Sequence, residues 1–148
     1  MTAAQSALTT ALNAVAASDG VTLTSANFIP DKGQLNKEGL YALENADLFN
    51  LLCIPPYTST NDVDTSVIAA AAAYCETRRA FLLVDSPSTW TDKATAVTKF
   101  TDTQNDNVGT RSKNAALFFP RLMQPNILHD NQVETFSAIG APASSRAR

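Results

Sequence analysis

Three short apolar runs, each shut off by proline or by a turn, constrain this chain more than anything else in it. Leu48-Phe49-Asn50-Leu51-Leu52-Cys53-Ile54 stops at Pro55-Pro56, and Phe81-Leu82-Leu83-Val84 stops at Asp85-Ser86-Pro87. Ala115-Ala116-Leu117-Phe118-Phe119 stops at Pro120. Runs this short, apolar and sharply punctuated read as strands buried on both faces of a sheet. Between the first two lies an alanine-rich stretch from about Ser66 to Arg79, with Val67, Ala70, Ala71, Tyr74 and Arg78 on one side of a helix. Asp64 or Thr65 can cap its first free N–H groups. A helix near Thr91–Thr103, with Val97 and Phe100 on its inner face, separates the second run from the third. Strand, helix and strand with short connections require parallel pairing through crossovers. The expected class is therefore α/β, a layered parallel-type central sheet with flanking helices.

The remaining segments give weaker signals. Residues 3–17 carry Leu8, Leu12 and Val15 on one helical stripe, ended by Ser18-Asp19-Gly20. Val21-Thr22-Leu23-Thr24 is β-prone, a loop follows through Pro30, Asp31 and Gly33, and Gly39–Glu44 reads as one or two helical turns. Tyr57–Val63 is a polar loop, Gln124-Pro125-Asn126 begins another, and Phe136-Ser137-Ala138-Ile139-Gly140 leads toward one more helix. A length of 148 residues suits one domain, 1–148, around one core. Hydrophobic residues make up 45% and charged residues 17%, which excludes wholesale disorder.

Charge and cysteine narrow the setting. Residues 1–108 carry 6 basic and 12 acidic residues, while 109–148 carry 5 and 2, so an acidic part precedes a basic one and copies of the chain can attract weakly. Cys53 and Cys75 lie inside apolar runs and make no disulfide framework. The opening Met1-Thr2-Ala3-Ala4-Gln5-Ser6 lacks a basic n-region, and the apolar stretch Val67–Cys75 is too short to span a bilayer. The expected setting is soluble and cytoplasmic.

Reactive chemistry is sparse. Only five glycines occur, and they form neither GxGxxG nor a P-loop. His129 is the only histidine, so it would have to serve any triad, and no G-x-S-x-G elbow aims a serine at it. Asp85, after a buried strand, is the best single candidate for a reactive carboxylate, yet Asp-Ser-Pro is equally a turn former. Arg78-Arg79 can meet phosphate, but at a helix C-terminus they suit the dipole. Arg111 and Lys113 lack interleaved aromatics for base stacking. No catalytic, cofactor or metal residue is assigned, and neither nucleic acid nor membrane is expected as a partner.

Several stretches resemble the contractile tail-sheath family of bacteriophages and related injection machines. Gly39-Leu40-Tyr41-Ala42-Leu43-Glu44-Asn45-Ala46-Asp47-Leu48-Phe49-Asn50-Leu51-Leu52-Cys53-Ile54-Pro55-Pro56 is similar to the segment by which these proteins enter their central sheet, with Ser18-Asp19-Gly20 and Leu23-Thr24 before it. Tyr74-Cys75-Glu76-Thr77-Arg78-Arg79-Ala80-Phe81-Leu82-Leu83-Val84-Asp85 resembles the following helix and strand. Asn114-Ala115-Ala116-Leu117-Phe118-Phe119-Pro120 resembles the next strand, and Ser137–Ala143 the start of a Gly-Ala helix. The resemblance covers about residues 18–143. It implies a non-catalytic, subtilisin-like sheath domain without cofactors. It further implies hexameric rings of sheath subunits around a tail-tube protein, in the virion and in host cytoplasm during assembly. Family members continue through an Arg-Thr-Asp region and a Trp-Lys-Ala-Pro segment. Here Pro142 and Ser144-Ser145 interrupt that pattern before Arg148, so a partial sheath domain is expected. A small α/β hydrolase using Asp85 or His129, or a nucleotide-binding domain, is the alternative.

Overall fold

A computed structural model describes residues 20–57, 61–102, 104–105 and 107–139. The helix expected over 3–17, and any helix after 139, lie outside the described residues. The chain opens with two single-turn helices, α1 (Ser25–Phe28) and α2 (Gly33–Asn36), and a 3₁₀ helix over Gly39–Asn45. Then follow β1 (Leu51–Cys53), α3 (Thr65–Arg78), β2 (Phe81–Asp85), α4 (Lys93–Thr101) and β3 (Ala115–Phe118). The described chain closes with β4 (Leu122–Asn126), a 3₁₀ turn over Ile127–His129, and β5 (Gln132–Phe136).

The parallel sheet forms as the apolar runs predict. Its order is β1-β2-β3. Leu51 lies opposite Phe81 and Cys53 opposite Leu83, while Leu82 lies opposite Ala115 and Asp85 opposite Phe118. Side chains alternate across a strand, so Leu82 and Val84 face one side and Phe81 and Leu83 the other. The first side holds the core, where Leu82 and Val84 meet Val67, Ile68, Ala71 and Cys75 of α3, Ala96 of α4, and Val108. The alanines let α3 lie close to β2. Gly109 belongs to this packing: its φ is +84°, and a Cβ there would stand 2.5 Å from the Thr65 carbonyl oxygen. On the second side Leu83 is buried, but Leu51, Cys53, Phe81, Ala116 and Phe118 are only half-buried among the described residues.

Five expectations need correction. The first strand is Leu51–Cys53 rather than 48–54, and it is half-buried rather than buried on both faces. Leu48 is exposed, and Phe49 turns aside to stack on Tyr74 at 6.0 Å. The segment Val21–Thr24 forms no strand, because Asn27 Oδ1 accepts the Thr24 N–H at 2.8 Å and starts α1 instead. Asp64 does precede α3, but its backbone carbonyl takes the Val67 and Ile68 N–H groups and its side chain makes no capping bond. In α4 it is Ala96 that turns inward. Val97 and Phe100 are exposed, and Phe100 lies beneath the Arg111 guanidinium, 4.3 Å from the ring centre. Asp92 fixes that helix start by accepting the Thr95 N–H at 2.9 Å, and Val108, from the loop after the helix, is buried in the core. Finally, Gln124-Pro125-Asn126 is strand rather than loop, and Phe136 ends β5. A two-stranded ribbon consists only of edges, where proline's missing N–H can point outward.

Candidate functional site at the carboxyl edge of the sheet

In open parallel α/β sheets, reacting groups gather beyond the carboxyl ends of the strands. Here that edge carries Asp85 and Ser86 at the end of β2, joined by Asp62, Arg121 and Ser137 from three other segments. The Asp85 carboxylate accepts from Ser137 Oγ and, at 3.0 Å, from the Ile139 N–H. It thereby holds the far end of β5 to the central strand. The Ser86 N–H donates to the Phe118 carbonyl at 3.0 Å, continuing the ladder to β3. The Ser86 carbonyl accepts from Arg121 Nε at 3.1 Å. Arg121 also pairs with Asp62, and the Asp62 carboxylate accepts the Ser88 N–H at 3.0 Å. Arg121 and Asp62 thus tie the start of β4 and the 61–63 loop to the end of β2. Between these groups lies a cavity of only about 20 Å³, bounded by Ile54, Val84 and Val108 as well as the polar side chains. Its size suits no more than a single water.

Asp85 is therefore where the sequence puts it, but its oxygens are engaged in holding the fold. His129 is elsewhere. It sits at the tip of the hairpin with Nδ1 2.5 Å from Glu134 Oε1. Ser137 lies at the hairpin base, five strand residues beyond Gln132, or about 17 Å at ordinary strand rise. The structure brings a serine to Asp85 and an imidazole to Glu134 in two separate pairs, not one set.

The arginines also find structural partners. Arg78 ends α3, where it suits the helix dipole, but its guanidinium bridges to the 3₁₀ helix. It donates to the Leu43 carbonyl at 3.2 Å and to the Ala46 carbonyl at 2.8 Å, and pairs with Glu44 at 3.4 Å. Its planar head also lies 5.3 Å from the Phe49 ring centre. Tyr74 donates to Glu44 at 2.8 Å, so helix end, 3₁₀ helix and approach to β1 form one knot. Arg79 occupies the left-handed position that ends α3, with φ of 56°. Lys113 is exposed before β3.

The two cysteines differ. Cys75 is fully buried against the sheet, and desolvation pushes its thiol up to about 11. Cys53 is half-buried, its thiol raised by burial first and by the nearby Asp85 carboxylate second. Among the described residues no group of three or more His, Cys, Asp or Glu side chains is placed to hold a metal ion, and no helix is long and apolar enough to cross a membrane.

Asp62, Arg121, Ser137 and Glu44 are the members of these clusters that sequence reasoning does not find. Fifty-nine residues separate Arg121 from Asp62, and 52 separate Ser137 from Asp85. No local pattern marks them; Arg121 following Pro120 at a strand end is the nearest thing to a signal. No family model, curated protein or solved structure matches the chain.

Proposed function

We propose that this chain is a structural subunit, or part of one, of a contractile tail sheath, with a non-catalytic domain of the subtilisin-like sheath type. Such subunits stack as hexameric rings around a tail tube and shorten together to drive it through a target envelope. The partners are other sheath subunits and a tail-tube protein, and the setting is the virion tail. The resemblance in order and spacing supports this reading. Its phrases coincide with the 3₁₀ helix and β1, with the end of α3 and β2, and with β3 up to Pro120.

The observation that carries it is the division of labour over the surface. Asp62, Asp85 and Arg121 at the strand ends, where an α/β enzyme would hold its reacting groups, bond to one another's segments and to backbone, and of this cluster only the buried Ser86 hydroxyl lacks a hydrogen-bond partner. Large apolar side chains meanwhile stand exposed along β4, β5 and the turn between them. Exposed apolar surface of that kind suits assembly better than turnover. The test is to mix the purified chain with a tail-tube protein and follow it by sedimentation and electron microscopy. Rings or tubular arrays, with no turnover of peptide, ester or nucleotide substrates, are expected. A chain that stays monomeric beside the tube protein at high concentration, or hydrolysis that vanishes in Asp85→Ala, would sink the proposal.

A further inference from the structure

Of the side chains at the carboxyl edge of the sheet, Ser86 is the one whose hydrogen-bonding capacity the fold leaves over. Its backbone is fully used, the N–H bonding Phe118 and the carbonyl accepting from Arg121. The residue is 1% exposed, and its hydroxyl has no hydrogen-bond partner among the described residues. Because its N–H continues the ladder to β3, the alternation of the strand runs on to Ser86 and sets it on the side of Leu82 and Val84. On that side lies the cavity of about 20 Å³, with Ile68, Val84 and Val108 as apolar walls and Asp62, Ser86 and Arg121 as polar ones. Tyr57 and Trp90 also bury a polar atom without a partner, but neither residue lines this cavity.

We propose that this cavity is a binding site for one water molecule, held by Ser86 Oγ and by the Arg121–Asp62 pair. A hydroxyl taken out of solvent with nothing to bond is costly, and the hollow beside it has room for one water and not two. The polar walls supply the two to four partners that a buried water needs. Ser86 Oγ can donate and accept. Arg121 has donors beyond the Nε and Nη2 that it commits to the Ser86 carbonyl and to Asp62, and the Asp62 carboxylate has lone pairs to spare. An ion is the poorer occupant. Asp62 and Arg121 already cancel in charge, and the Asp85 carboxylate is engaged by Ser137 and Ile139. An ion would give up its hydration for little more than one hydroxyl. The water joins the end of β2 to the 61–63 loop, the start of β4 and the loop at Val108. The crevice in which open α/β sheets take their ligands is thereby filled by solvent. The inference needs neither a second copy nor the sheath reading.

Two variants of the full chain test it, one by removing the hydroxyl and one by filling the room. A buried hydroxyl left dry destabilises, so Ser86→Ala would then raise the urea midpoint. A hydroxyl that anchors a water stabilises, so Ser86→Ala should lower it. The lower midpoint is expected, by about 0.5 M, the size of one net hydrogen bond at an ordinary denaturant slope. Ser86→Val puts methyl groups where the water sits. Oxygen-17 relaxation dispersion, which counts waters held inside a protein, should report one fewer for Ser86→Val than for the unaltered chain. A raised midpoint in Ser86→Ala, or an equal water count in the unaltered chain and Ser86→Val, would overturn the inference. So would a crystal structure of the unaltered chain with Ser86 Oγ turned onto a protein acceptor, a result that decides the matter even where Ser86→Val fails to fold.

Discussion

Between Leu82 and Val84 every side chain of β2 is buried, whereas seven of the ten residues in β4 and β5 are exposed. The strands of the first sheet come from around residues 51, 81 and 115. They meet only because α3, α4 and Val108 cover the face that Leu82 and Val84 present. The second sheet is local, its strands joined by a short turn, and it needs no core to find its register. A lone two-stranded ribbon is marginal in water. The hairpin is kept by its ends: Asp85 and the Arg121–Asp62 pair hold the base, and the Asn126–Glu134–His129 cluster holds the tip. One region supplies stability, and the other is displayed by it.

The sharpest way to break that contrast is to remove apolar bulk from each sheet. Leu82→Ala empties a fully buried site and should cost about 2–5 kcal/mol. Val133→Ala on the exposed ribbon should stay within about 0.5 kcal/mol. Urea midpoints of the two variants decide it, and comparable losses would mean that the hairpin is part of the core.

A smaller effect should come from cutting the tie between the regions. Asp85→Ala removes the acceptor for the Ser137 hydroxyl and the Ile139 N–H, leaving two donors without their partner, at about 1–3 kcal/mol. The loss should be local. Amide exchange in β5 and at Ile139 should quicken several-fold while the β2 amides keep their protection. Uniform acceleration through both sheets would show that Asp85 supports the core rather than the hairpin.

The legibility of the two regions differs for the same physical reason. Burial writes itself into sequence as apolar runs, so the parallel sheet can be read directly: α3 is expected over 66–79 and spans Thr65–Arg78, and β3 differs by one residue. Where side chains meet water the pattern fades. The strand Leu122–Asn126 contains a proline and a glutamine, and its Gln124-Pro125-Asn126 reads as the start of a loop. The available hint was Asp130-Asn131, both in the left-handed conformation that hairpin turns favour, with φ of 50° and 59°. The helix α4 shows a third case, where periodicity selects Val97 and Phe100 but a cation over Phe100 and the inward fit of Ala96 decide otherwise. Asp85 is legible as the end of a buried strand. Its partners are not, since long-range hydrogen bonds leave no local spacing to read.

The smallest expected effect concerns acid. Glu134 accepts from Asn126 and pairs with His129, and these bonds hold its carboxyl below the ordinary glutamate range, Asn126 contributing most and His129 next. A carboxyl whose pKa is lowered on folding contributes stability that is fully present above its unfolded value, about 4.3. That contribution is lost as pH falls through the lower, folded value. The tip should therefore loosen only in strong acid, with Glu134 protonated and its bonds to the turn weakened. The site is solvent-screened, so the change should register as faster exchange at the Leu128 and Asn131 amides rather than as a shift in global unfolding. Glu134→Gln should remove the acid step while leaving β2 untouched. If the step survives in Glu134→Gln, another group controls the tip, and if β2 responds along with it, the two sheets are not energetically separate.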